Sequence, residues 1–166
     1  MLVNQKTVQG RRNLEFSTLD EIVADAEKLV AANDTQTVGN WSLSHLLSHL
    51  TMTFNSSIDG FQVKAPLFIR LILPFFKKVI INRKMSPGIN LPKSAQAVAF
   101  PDVGSAEEAM EQLRKSVART KSERMAAAHP AFGNMTHDEW VKLHLRHSEM
   151  HLSFAHSPSA AKRSSC

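Results

Sequence analysis

The stretch Trp140 to Phe154, WVKLHLRHSEMHLSF, constrains this chain more than any other. At about 100° per residue, a helix places Trp140, His144, His147 and His151 on one stripe roughly 60° wide. Leu143, Met150 and Phe154 flank the stripe on one side, and Val141, Leu145 and Leu152 lie beyond it on the other. Lys142, Arg146, Glu149 and Ser153 fall on the opposite face, which the pattern assigns to solvent. The imidazoles are therefore expected to point into the core. A buried polar ring without a partner costs about 1 to 3 kcal/mol, so three of them need hydrogen-bond partners or a shared ligand. A metal ion is the economical shared ligand. His147 and His151 are spaced i, i+4, which lets two imidazoles converge on one cation.

Trp41 to Ile58, WSLSHLLSHLTMTFNSSI, offers a second pair, His45 and His49, at the same spacing. Leu43, Leu46, Leu47, Leu50, Phe54 and Ile58 form one helical arc, and Trp41, His45, His49 and Met52 form another opposite it. No charged residue occurs from Asn40 to Ile58. A helix without charge on any side is usually surrounded by protein, so its histidine face is expected to be interior as well.

A chain of 166 residues with 43% hydrophobic content suits one domain, expected to span 1–166. Its one cysteine, Cys166, excludes an internal disulfide framework and suits a reducing compartment. The opening MLVNQKTVQGRRNLEF has no apolar segment of secretory length, so a cytoplasmic location is expected. Three capping boxes mark helix starts: Thr18 with Glu21, Ser105 with Glu108, and Thr136 with Glu139. They predict helices from about Leu19 to Asn33, Ala106 to Met125, and through the histidine stripe, beside one from Ser42 to Asp59 closed by Gly60. Leu19, Ile22, Val23, Ala26, Leu29 and Val30 should face the core from the first. Ala106, Ala109, Met110, Leu113 and Val117 should do so from the third. Nothing reads as an alternating strand. The fold class is all-α, a four-helix bundle with an extra short-helix and loop segment between its second and third long helices.

That extra segment, Ala65 to Gly104, begins with PLFIRLILPFFKKVIINRK, apolar nearly all round. Pro74 is expected to divide it into two short helices, and its length and three cations argue against membrane insertion. A lid over the pocket or a homodimer contact is the preferred reading of so much apolar surface, with an amphipathic membrane-surface segment behind them. Met85 to Gly104 is rich in Pro and Gly and reads as a long loop. Residues 60–104 carry seven cations (Lys64, Arg70, Lys77, Lys78, Arg83, Lys84, Lys93) against Asp102 alone. The overall net charge of +5 therefore belongs to this segment. If it overhangs the histidines, anionic small molecules are favoured; otherwise it is a solvated basic face. No helix-turn-helix, zinc-finger or aromatic RNA-binding signature accompanies it, so nucleic acid is not expected as a partner.

The Trp-Ser helix start leading to His49, followed by a His-x-x-x-His helix, resembles the DinB/YfiT-like superfamily of four-helix metal-binding proteins. RRNLEF, GNWSLSHLLSHL, SIDGF followed by KAP, SPGINLP and HPAFGNMTHDEWVKLHLRHSEMHLSF are similar to its DUF1569 branch, whose function is undetermined. The resemblance spans nearly the whole chain. It implies a divalent metal held by one histidine of the second helix and two of the last, here His49, His147 and His151. His45 and His144 lie one turn earlier on the same faces and are candidates for supporting or catalytic roles. Characterised relatives in the superfamily include thiol-dependent transferases and a metal-dependent hydrolase.

Three histidine ligands leave a coordination position open, the pattern of catalytic sites. Neutral imidazoles accept several metals; zinc and nickel are the expected ones. No Asp or Glu lies on either stripe, which weakens a peptidase-like reading and leaves His45 or His144 for a base role. His45 taken alone reads as a hydrogen-bonded core residue, and His129, His137 and His156 as loop, cap and tail residues. Trp41 and Trp140 suit a pocket wall or plain core packing. The expected function is a metal-dependent enzyme, of hydrolase or thiol-dependent transferase type, acting on a small anionic or thiol-containing substrate. The alternative is a non-catalytic metal-binding or stress-related interaction protein of the same fold.

Overall fold

The computed structural model describes residues 3–88 and 104–158, and within them the chain is mostly helical. Five helices follow in order: α1 (Leu19–Ala31), α2 (Leu43–Asp59), α3 (Leu67–Ile81), α4 (Ala106–Ser122) and α5 (His137–Leu152). Their starts follow from local chemistry. Ser42, Ser105 and Thr136 each accept a hydrogen bond from the backbone N–H three residues on, and Glu108 and Glu139 return the bond to the cap backbone. At α1 the Thr18 hydroxyl accepts from Glu21 N, but the Glu21 carboxylate reaches one residue further, to Ser17 N at 2.7 Å. Gly60 closes α2 at φ 99°, a backbone angle that side chains with a Cβ rarely adopt, and its N–H donates to Ser56 O.

One core runs through α1, α2, α4 and α5. Ile22, Ala26 and Leu29 of α1 meet Leu46, Leu47, Leu50 and Phe54 of α2, Ala109, Met110, Leu113 and Val117 of α4, and Leu145 and Leu152 of α5. Leu19, Val23 and Val30 pack at its edge, and Ala106 is only partly buried. Helix α2 makes its most extensive contact with α4. A second cluster, comprising Ile81, Met125, Phe132, Met135, Trp140 and Leu143, ties the end of α3 to the start of α5.

Four expectations change. Pro74 does not divide its segment: α3 is one 15-residue helix with Pro74 inside it. The proline sits on an exposed side of the helix, so water can satisfy the carbonyl it frees, while Leu73 and Ile80 pack both halves onto the second cluster. A strand pair does exist: β1 (Gln36–Thr37) runs antiparallel to β2 (Ala155–His156), pairing Gln36 with His156 and Thr37 with Ala155. Two-residue strands carry no periodic signal. They also make His156 part of a ladder rather than a loose tail. Helix α4 ends at Ser122, short of Met125, because Glu123 turns extended (φ −117°, ψ 139°) while Met125 is fully buried in the second cluster. Finally, Glu149 and Ser153 are buried, 5% and 3% exposed, not solvent-facing. The N-terminal RRNLEF segment lies across that face of α5, where Phe16 N donates to Glu149 Oε1 and Arg12 N to Ser153 O.

The loop expected from Met85 to Gly104 falls mostly on residues 89–103, outside the described residues, as does Cys166. Among the described residues no helix is long and apolar enough to cross a membrane.

Candidate metal centre

His49 comes from the second turn of α2, and His147 and His151 from the last turns of α5. The two helices pack against each other and bring the three rings together. His147 Nε2 lies 3.0 Å from His151 Nε2 and 3.4 Å from His49 Nε2. One ligand nitrogen from each of the three falls within 4.8 Å of the others. Around a tetrahedral ion with metal–nitrogen distances of about 2.0 to 2.1 Å, adjacent nitrogens stand about 3.3 Å apart. The two His147 spacings bracket that value and the third pair lies within 4.8 Å, so the three imidazoles could hold one metal ion after adjustment.

The protonation state fits as well. Burial pushes His147 and His151 well below the usual histidine range; charge repulsion from His151 and His49 adds to this at His147, and from His49 and Arg11 at His151. His147 and His151 are therefore neutral at pH 7, as metal ligation requires. A purely hydrogen-bonded cluster satisfies the three less well. The single Nε2 proton of a neutral His147 can be given to His151 or His49 but not to both at full strength. No carboxylate joins the group among the described residues, so the donor set is nitrogen only.

Trp41 walls one side, its ring stacked on His151 (5.3 Å between centroids, 5° between planes) and tilted 5.2 Å from His49. His49 and His151 are 7% and 8% exposed, while His147 is half-buried. Trp140 belongs elsewhere. It stacks on Phe61 and His144, and its indole N–H donates to Ala127 O at 3.1 Å.

His45 and His144 do not join the three. His45 is half-buried, with Nδ1 3.0 Å from Ser42 Oγ at the helix cap. His144 is sandwiched between Phe54, at 4.1 Å, and Trp140, at 5.4 Å. Its buried Nε2 has no hydrogen-bond partner, and desolvation, with a smaller contribution from His129, lowers its pKa to about 3. An imidazole so placed is a poor proton acceptor at neutral pH.

Two features escaped the sequence reading. His129 sits in a β-bridge with Gly133, stacked on Phe132 and near Phe61 and Trp140; its Nδ1 accepts from Ala131 N and Phe132 N, and burial lowers it to about 4. Only the His129-Pro130 turn signal hinted at its place. Arg11 lies over the Phe154 ring at 4.4 Å and donates to Ser153 Oγ. Together with Arg12, Lys84, Arg146 and Glu149 it lines a cavity of about 240 Å³ where the RRNLEF segment crosses α5. From the basic segment, Lys84 and Met85 reach the cavity, and Lys84 bonds to Asn13 Oδ1 at 2.7 Å.

A family model described as "Protein of unknown function (DUF1569)" matches residues 8–157. No curated protein and no solved structure matches the chain.

Proposed function

The chain belongs to the DUF1569 family, and from that premise we propose that it is a metal-dependent enzyme built on a DinB-like four-helix bundle. The observation that carries this reading is the convergence of three imidazole nitrogens from two helices, with His147 only half-buried. His49, His147 and His151 would hold a divalent ion, zinc or nickel by the all-nitrogen donor set. A bound cation there supplies Lewis acidity toward water or a thiol at its remaining positions, as a hydrolase or a thiol-dependent transferase requires.

The chain's own residues set the remaining conditions. Trp41 shields two of the three ligands and fixes the His151 ring by stacking, which leaves the substrate to enter past His147. Arg11, one of the charges felt by His151, supports a small anionic substrate or a thiolate near the site. With no carboxylate in the group and His144 enclosed by aromatic rings, a proton must leave through solvent, through His45 or through the substrate itself.

Metal content by mass spectrometry tests the centre, on untagged protein purified without chelator, alongside His147→Ala and His49→Ala. Near-stoichiometric metal in the wild type, lost in both variants, supports the site. Cobalt-substituted protein whose visible spectrum changes on adding a small thiol then supports an open position and catalysis. A spectrum indifferent to thiols, azide and phosphate points to a closed, non-catalytic centre. Wild type that stays metal-free after dialysis against zinc or nickel ends the proposal.

A further inference from the structure

Helix α3 carries its most apolar surface outward. Seven large side chains between Leu67 and Val79 are 49% to 86% exposed, Phe75 the most. At about 100° per residue, Leu67, Leu71, Phe75 and Val79 form one row, and Phe68, Ile72 and Phe76 a second row beside it. The opposite side holds the helix in place: Leu73, Ile80 and Ile81 join the second core cluster, and Lys77 donates to Glu139 Oε2 and Asn134 O. These contacts lie at the start of α5, away from His147 and His151 near its end. The outward face is thus neither core nor a cover over the imidazoles. Contiguous apolar patches of this kind on a protein surface mark an interaction site.

Charge identifies the partner. From Gly60 to Gly88 the chain has six cations and no Asp or Glu. Lys77 is taken by Glu139, whereas Arg70 and Lys78 are exposed on one edge of the apolar face. A second copy of the segment would offer these cations no carboxylate, since it holds no Asp or Glu. An anionic bilayer surface complements both features, because phosphate-bearing headgroups meet Arg70 and Lys78 while the Phe and Leu rows enter the acyl boundary. A 15-residue helix rises about 22 Å, too short to span a bilayer core of about 30 Å but sufficient to lie in its interface. We propose that α3 is a peripheral membrane-docking helix, which lays its Leu67–Val79 face into the surface of an anionic lipid bilayer. This inference stands apart from the metal centre.

Co-sedimentation of the full-length protein with phosphatidylcholine vesicles, with and without phosphatidylserine, tests it. Binding to the anionic vesicles should exceed binding to the neutral ones about tenfold and weaken with salt. The pair Leu71→Ser and Phe75→Ser should lower it at least tenfold, as should Arg70→Glu with Lys78→Glu. All four positions are solvent-exposed, and circular dichroism confirms that the variants keep their helices. No binding to anionic vesicles overturns the proposal, as does binding that the Ser pair leaves unchanged. So does sedimentation equilibrium showing a dimer that the Ser pair dissociates, with no vesicle binding, which would assign the face to a second copy.

Discussion

The backbone N–H of Phe16 donates to Glu149 Oε1 at 2.7 Å, across 133 residues of sequence. The same carboxylate oxygen accepts from Arg146 at 2.8 Å, and Arg146 in turn donates to Phe16 O. A face of α5 that reads as solvent-exposed is in this way closed by the N-terminal strap. Arg12 extends the closure: it pairs with Asp25 of α1 and donates to Leu152 O and Ala155 O. The strap therefore braces the helix end that carries His147 and His151.

Glu149→Ala should destabilise the protein by about 3 kcal/mol, because it leaves the Arg146 charge and the Phe16 amide without their buried partner. Urea denaturation measures the loss, and hydrogen exchange at Phe16 should quicken in the same variant. A loss below about 0.5 kcal/mol would mean that the Glu149 contacts contribute nothing to stability.

His144→Phe should leave stability unchanged or raise it by about 1 kcal/mol. The substitution removes a buried Nε2 that has no partner and preserves the stack between Phe54 and Trp140. Metal stoichiometry should be retained. A variant that folds but loses its metal would place His144 in the centre after all.

Acid should weaken the metal-free protein partly through His129. Its pKa in the fold is about 4, against 6.5 for the free side chain. The unfolded chain therefore binds a proton more readily between those values. Stability from this group is complete above pH 6.5 and falls as pH drops toward 4, by about 3 kcal/mol. Denaturation midpoints measured in chelator at several pH values report the slope, and His129→Asn should make it shallower. An identical slope in that variant assigns the acid sensitivity to other groups.

Zinc or nickel added to metal-free protein should raise the melting temperature, since an ion that binds only the folded state stabilises by about 2.7 kcal/mol at a hundredfold excess over its dissociation constant. His151→Ala should abolish the shift. Differential scanning calorimetry with and without metal reads both, and an equal shift in the variant would locate the ion elsewhere.

The elements of the fold were legible where their cause is local. A hydroxyl at a cap, a Glu three residues on and an apolar residue every third or fourth position act within one or two turns, so α1, α2, α4 and α5 start where Thr18, Ser42, Ser105 and Thr136 stand. The i, i+4 spacing of His147 and His151 is local in the same sense, and the absence of charge from Asn40 to Ile58 announces that His49 lies inside. That His49 faces those two, and that Trp41 stacks on His151, depends on how α2 and α5 pack.

Tertiary structure alone decided the rest. Whether the polar face of α5 meets water or the strap turns on contacts more than a hundred residues apart. His144 shares its stripe with His147 and His151 yet lies against Phe54 and Trp140, because one turn of helix carries it from the imidazole cluster into the aromatic one. Pro74 weakens a helix from within, but packing at Leu73, Ile80 and Ile81 outweighs it. Local patterns fix which side of an element is apolar; the surface that side meets, or whether it meets any, is set by the summed packing of the whole chain.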